Sequence, residues 1–180
     1  MSDLETARRA IEGGATVIQV RLKDRPTEEI AELAAAIGSE ARPLHLEVTV
    51  NDDVEAARQA GADYVHLGRD DLQRLGGAPH YPFGLSASTV EEAVEAEELG
   101  AAYIGAGPVW STPSKPDAGS PIGLAGLSSM GAVVATPLVA IGGIDSANAG
   151  DCIRAGASGV AVIRGVAELP AIRAAVDAAL

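Results

Sequence analysis

The chain has one cysteine, Cys152, so no disulfide can form within it. Cys152 falls in a stretch that reads as helix, and the expected role is a buried, idle thiol, not redox chemistry. Aromatic residues make up only 3% of the sequence, against 21 glycines. The core must therefore be built from small aliphatic side chains linked by many tight turns, which suits α/β layering better than a large all-β sandwich. No apolar run approaches the ~18 residues needed to span a bilayer. The opening MSDLETARRA is not a secretory signal, so the cytoplasm is the expected compartment. Positive charge is also scarce. The formal net charge of −12 argues against nucleic acid and anionic membranes as partners. An anionic ligand would need a local cationic pocket. Lysine is the rarest cation, with Lys23 and Lys115 set against eleven arginines. That bias fits a GC-rich or salt-adapted source, and it makes the two remaining lysines early candidates for function.

With 180 residues, 47% of them hydrophobic, the chain is expected to form one domain spanning 1–180. Four segments share one pattern: RRAIEGGATVIQV, ARQAGADYVHLG, AEELGAAYIGAG and IRAGASGVAVI. In each, a helical stretch ends at a glycine (Gly14, Gly61, Gly100, Gly156), and a short apolar strand follows. The glycines stand where a helix C-cap adopts a left-handed conformation. Alternating helices and β-branched runs imply parallel strands joined by helical crossovers. Strands are expected near 16–21, 44–50, 63–67, 83–86, 102–106, 137–141 and 159–163. Seven strands preceded by a helix suggest a (β/α)8 TIM barrel lacking its first β-strand. The competing open doubly wound sheet lacks a GxGxxG after its first strand, so its dinucleotide-binding version is weak.

In either architecture ligands bind at the C-terminal ends of the parallel strands. VIQVRLKD at the end of the first strand places Gln19, Arg21 and Lys23 two residues apart and hence on one face. If Arg21 and Lys23 already lie in the loop, they are solvated instead. The second and third strands end TVNDD and HLGRDD. Neighbouring strand ends lie ~5 Å apart, so Asp52 and Asp71 could share a hard cation such as magnesium. The alternative is that these acids cap the following helices. His66 is expected to be a satisfied barrel histidine. Ser86 ends the fourth strand, and Ser88 or Thr89 caps the next helix. GPVWSTPSKPDAGSPIG, residues 107–123, reads as a long βα loop of the kind that closes active sites. Its Thr112, Ser114 and Lys115 suit an oxygen-rich anion. Gly142 and Gly143, together with the backbone around Arg164, stand where eight-stranded barrels hold a phosphate, and Arg164 could ride above it.

The ordered set QVRLKD, VND, HLGRDDL, GLSAST, GPVWSTPSK and VAIGGI closely resembles the family of thiamine phosphate synthase and the TenI thiazole tautomerases, over nearly the whole chain. The resemblance implies a (β/α)8 barrel that couples hydroxymethylpyrimidine diphosphate to thiazole phosphate, using Mg2+ and releasing pyrophosphate. It assigns Gln19, Arg21 and Lys23 to the pyrimidine diphosphate, Asn51 to the pyrimidine, and Asp52 and Asp71 to magnesium. Ser86, Thr112, Ser114 and Lys115 match further substrate contacts, and Gly143 matches the thiazole phosphate site. Catalysis is expected from Lys115, Ser86 and Arg21, with Lys115 neutralising the departing pyrophosphate.

The tautomerase branch carries histidine at the position of Pro108, and it has no diphosphate to bind, so Pro108 and Asp71 both favour the synthase. Ser88, where the synthase often has histidine, and Arg164, where a serine is usual, depart from the family pattern. The alternatives are a thiazole tautomerase and a non-catalytic binder of phosphorylated ligands. The expected partners are small phosphorylated substrates; a homo-oligomer is compatible with the sequence but not specified by it. The absent first strand is expected to reflect truncation, the lost segment being four to six apolar residues ending in a polar pair just before Ser2.

Overall fold

A computed structural model describes residues 1–114 and 119–180. It comprises two compact units, Met1–Phe83 and Gly84–Leu180. In the first unit, helix α1 (Leu4–Glu12) leads into strand β1 (Val17–Val20), then α2 (Thr27–Ala41), β2 (Glu47–Asn51), α3 (Val54–Ala60), β3 (Tyr64–Leu67) and α4 (Arg69–Leu75). Asp3 caps α1, its carboxylate accepting from the Thr6 amide at 2.7 Å. All pairings are parallel: Gln19 stands opposite Thr49, which stands opposite Tyr64, and Asn51 stands opposite His66.

That register sorts the strand residues onto two faces. Ile18, Val20, Val48, Val50, Val65 and Leu67 point one way and are buried. On this side α2 packs on β1, β2 and α3, with Ile30, Ala34, Ile37, Ala56 and Ala57 in the core. Each large aliphatic side chain buried here contributes roughly 1.5–3 kcal/mol. The other face carries Gln19, Thr49, Asn51, Tyr64 and His66. It is a polar face in a unit whose opposite strand face is aliphatic.

The second unit repeats the pattern with β4 (Phe83–Ala87), α5 (Val90–Glu98), β5 (Tyr103–Ala106), α6 (Gly123–Gly131), β6 (Leu138–Ile141), α7 (Ala149–Arg154), β7 (Gly159–Ala161) and α8 (Leu169–Asp177). Its strands are parallel and pair in chain order. Leu85, Ile104, Leu138 and Ala140 form its buried face. The Tyr103 ring lies flat over Gly84, where an added Cβ would stand 2.1 Å from ring carbon. Cys152 is buried in α7, and burial pushes its thiol up to about 11, which makes it inert as a nucleophile.

The four expected C-cap glycines, Gly14, Gly61, Gly100 and Gly156, all have positive φ. Other boundaries differ from expectation. Pro43 lacks an N–H, and Arg42–Leu44 forms a 3-10 turn closed by His45 at φ 58°, so β2 begins at Glu47 and not at 44. The last strand ends at Ala161, two residues early. Helix α7 starts at Ala149 because Asp145 and Asn148 tie up the preceding turn, the Asp145 amide donating to Asn148 Oδ1 and the Ala147 amide to Asp145 Oδ1. Among the three helices that the sequence reading did not place, α4, α6 and α8, the first two are too short or too glycine-rich to show a clear 3.6-residue period.

One side chain holds the α5 region to the approach of β6. The Glu97 carboxylate accepts from the Ala135 amide, the Thr136 amide and the Thr136 hydroxyl at 2.7, 2.6 and 2.9 Å. These bonds, led by the Thr136 amide, hold its pKa below 4.5. The carboxylate therefore stabilises the fold above that value and loses its contribution as pH falls through the lowered pKa. Glu97→Gln should lower the melting temperature at neutral pH, and the gap to the unsubstituted protein should close in acid. A gap independent of pH would show that shape, not charge, is what the three donors require.

Candidate active site

Strand β1 ends at Val20, so Gln19 is half-buried on the polar face while Arg21 is the first residue beyond the strand. The Arg21 amide donates to the Met1 carbonyl at 3.0 Å, and the Met1 amine donates to the Gln19 carbonyl. Met1 thus bridges β1 on the side facing away from β2. Lys23 lies in a bend three residues beyond the end of β1 and is exposed, so the strand alternation that would relate it to Gln19 does not extend to it. The one-face arrangement read from the two-residue spacing holds only as far as Arg21.

Asn51 is the last residue of β2 and Asp52 the first of the turn. Asp52 adopts φ 65°, its amide donating to the His66 carbonyl at 2.8 Å, and the Asp53 amide donates back to the Asn51 carbonyl at 2.8 Å. This tight reversal divides the work of two adjacent aspartates. Asp53 caps α3, accepting from the Ala56 amide and the Thr27 hydroxyl, both at 2.8 Å. Asp52 is left to face Asp71.

Asp71 is not at a strand end, as HLGRDD suggested, but at the third position of α4. Its Oδ2 accepts the Gly68 amide at 2.9 Å, and its Oδ1 pairs with Arg74 one turn on. Asp71 is thus both a capping residue and one half of an acidic pair. The Asp52 and Asp71 carboxyls lie close enough to share a proton. Partial burial first, then the hydrogen bond and repulsion from Asp71, raise the Asp52 pKa to about 6, against the opposing pull of Arg21 and a hydrogen bond from Asn51. Arg21, Asn51, Asp52 and Asp71 therefore come together. Arg74 was overlooked in the sequence, although the i, i+3 spacing in DDLQR signals such a pair.

In the second unit Ser86 is half-buried on β4, two residues from Ser88, whose amide and hydroxyl both bond Glu92 Oε2 at 2.6 and 2.8 Å. Thr89 caps α5 as expected. The loop after β5 is anchored to the end of β6: the Val109 amide donates to the Ile141 carbonyl at 2.8 Å, and the Trp110 amide to the Gly142 carbonyl at 3.1 Å. Pro108, preceded by a cis peptide bond, is buried. Gly143 has φ 68°, and a Cβ there would stand 2.7 Å from Trp110 Cβ and 2.9 Å from the Ser111 carbonyl oxygen, so only glycine fits the approach. Thr112 follows at once, its hydroxyl accepting from the Ser114 amide at 3.2 Å. Thr112, Ser114 and Gly143 thus belong to one pair of adjoining loops. Arg164 is exposed, three residues past the end of β7. Lys115 lies outside the described residues.

The family model for thiamine monophosphate synthase matches residues 1–166. The chain belongs to that family. The thiamine-phosphate synthase of Moorella thermoacetica is 46% identical over 168 residues, covering 91% of this chain and 80% of the relative. That of Methanospirillum hungatei is 44% identical over 178 residues, covering 97% and 86%. The structure is also similar to thiamine phosphate pyrophosphorylase from Pyrococcus furiosus, with a TM-score of 0.85 and 36% identity over 98% of this chain and 90% of that one. The fold class is accordingly the α/β barrel type of this family, with seven parallel strands among the described residues. Among those residues no helix is long and apolar enough to cross a membrane.

Proposed function

We infer that the chain is a thiamine phosphate synthase, joining hydroxymethylpyrimidine diphosphate to thiazole phosphate. The observation that carries this reading is the acidic pair Asp52–Asp71, formed between the turn after β2 and the first turn of α4 with Arg21 and Asn51 beside it, in a chain from this family. A tautomerase has no diphosphate to hold and no use for such a pair. The buried Pro108 favours the synthase too, since the tautomerase branch resembled here places histidine at that position.

The pair suits a hard divalent cation. Two carboxylates close enough to share a proton repel each other when both ionise, and a cation between them removes that repulsion. Among the described residues no third histidine, cysteine or acid joins them, which leaves room for water and diphosphate oxygens. Magnesium held by Asp52 and Asp71 would supply charge neutralisation to the diphosphate.

The remaining roles fall to side chains. Asn51 and Gln19 offer amides to the pyrimidine end of the substrate. Arg21 and Lys23, with Ser86, Thr112, Ser114 and Lys115, supply cations and hydroxyls for diphosphate oxygens. Gly143, in the turn after β6, offers its backbone amide to the thiazole phosphate, and Arg164 adds a positive charge there. The bond between the pyrimidine methylene and the diphosphate oxygen breaks, its electron pair leaving with pyrophosphate. The lone pair of the thiazole nitrogen then forms the new C–N bond. No proton transfer is required, so the reaction asks the site for cations and hydroxyls to take up the charge on pyrophosphate. Pyrophosphate release is the decisive assay. It should need both substrates and magnesium; release without the thiazole phosphate, or none at all, would overturn the reading.

A further inference from the structure

Arg74 completes the surroundings of the acidic pair without belonging to it. Its guanidinium pairs with Asp71 Oδ1, yet the two side chains differ sharply in exposure, 76% for Arg74 and 13% for Asp71. Asp71 does not depend on the arginine for its place, because its other oxygen, Oδ2, accepts the Gly68 amide at 2.9 Å at the start of α4. The oxygen that Arg74 covers is therefore the one Asp71 has left to offer. On the other side of the pair, Asp52 faces Asp71 with Arg21 within electrostatic reach. Two arginines thus balance two carboxylates.

We propose that Arg74 is a placeholder cation: it covers the Asp71 oxygen that a divalent metal requires, and so sets how tightly the site binds magnesium. The metal side of this inference rests on the reading of Asp52 and Asp71 as the magnesium pair. A metal ion that reaches Asp71 either displaces the guanidinium or shares the oxygen with it. Displacement costs the ion pair, and sharing sets one positive charge against another at close range. Both weaken binding. The penalty is modest, since an arginine this exposed makes its pair in water, where such pairs are weak. Exposure also lets the side chain swing away without disturbing α4. Until it does, a largely buried carboxylate is kept paired, which avoids the cost of leaving it without a counter-charge.

Arg74→Gln and Arg74→Lys decide this, read by the melting temperature against magnesium concentration with no substrate present. The apparent magnesium Kd of Arg74→Gln should fall by about threefold, the factor expected of an exposed ion pair. Arg74→Lys keeps the charge, and its Kd should lie closer to that of the unsubstituted protein than to that of the glutamine variant. Without magnesium Arg74→Gln should melt no higher than the unsubstituted protein, because its two carboxylates face each other with one counter-charge fewer. Adding Asp52→Asn to Arg74→Gln should abolish the tighter binding. A Kd that is unchanged or weaker in Arg74→Gln would make the arginine a support for Asp71 and not a competitor, and overturns the proposal. So would tighter binding that survives Asp52→Asn, which would place the metal elsewhere, or the absence of any magnesium response in both proteins. If the chain releases no pyrophosphate, the synthase reading falls, and the magnesium titration still decides the role of Arg74.

Discussion

Asp52→Asn should give a protein that is harder to melt near neutral pH and close to inactive. The carboxyl of Asp52 titrates at about 6 in the fold against 3.8 ordinarily. A raised acid contributes its stability below the lower value and loses it as pH climbs through the higher one, so the ionised pair is a burden on the fold from about pH 6 upward. A shift of this size is worth about 3 kcal/mol unscreened. Asp52 remains open to water, and after screening we expect a gain of about 1 kcal/mol for the amide at about pH 7.5, vanishing below about pH 4. Magnesium should raise the melting temperature of the unsubstituted protein and have little effect on the variant. Pyrophosphate release should fall by roughly two orders of magnitude or more, since charge held on a metal is worth several kcal/mol to a departing anion. A variant that melts lower and keeps its magnesium response would mean that the pair is structural.

Replacing Lys115 by alanine should slow pyrophosphate release by roughly two orders of magnitude, about 3 kcal/mol, as for other groups that meet charge developing in the transition state. The argument is one of scarcity and position. In a chain of net charge −12 with two lysines, one stands in the loop after the fifth strand, following Thr112 and Ser114. The start of that loop is anchored by backbone hydrogen bonds from Val109 and Trp110 to the end of β6, which sets Trp110 and Ser111 against Gly143. A flexible ammonium on such a loop can follow the leaving group outward in a way that the planar fork of arginine does not. Lys115→Arg should accordingly recover only part of the loss. Binding of thiazole phosphate, measured by calorimetry, should change little in either variant. Unaltered turnover in Lys115→Ala would remove the lysine from the mechanism.

Much of the site was legible because its signals are local. The glycines ending four helices, the strand-like runs after them and the polar residues closing those runs are patterns only a few residues long. They located Gln19, Arg21, Asn51, Asp52, Ser86 and Gly143 at or next to strand ends. Where the reading slipped, a nearby residue had changed the local geometry. Pro43 delayed β2, and β1 ended at Val20, which left Lys23 in an exposed bend beyond the strand alternation. Asp71 proved to stand one turn into a helix too short to leave a periodic trace.

The sequence by itself determined the alternation of helix and strand, the parallel pairing that follows from it, and the family to which the chain belongs. Each depends on periodicity, chain connectivity or the order of motifs. Only the tertiary structure decided which of two adjacent aspartates caps a helix and which faces Asp71, and that Thr49 alone among the polar strand residues is sealed from water. Those properties depend on what other strands and helices bring alongside. Capping is settled within one helical turn, whereas the burial of a hydroxyl or the repulsion between two carboxylates is set by register between segments tens of residues apart.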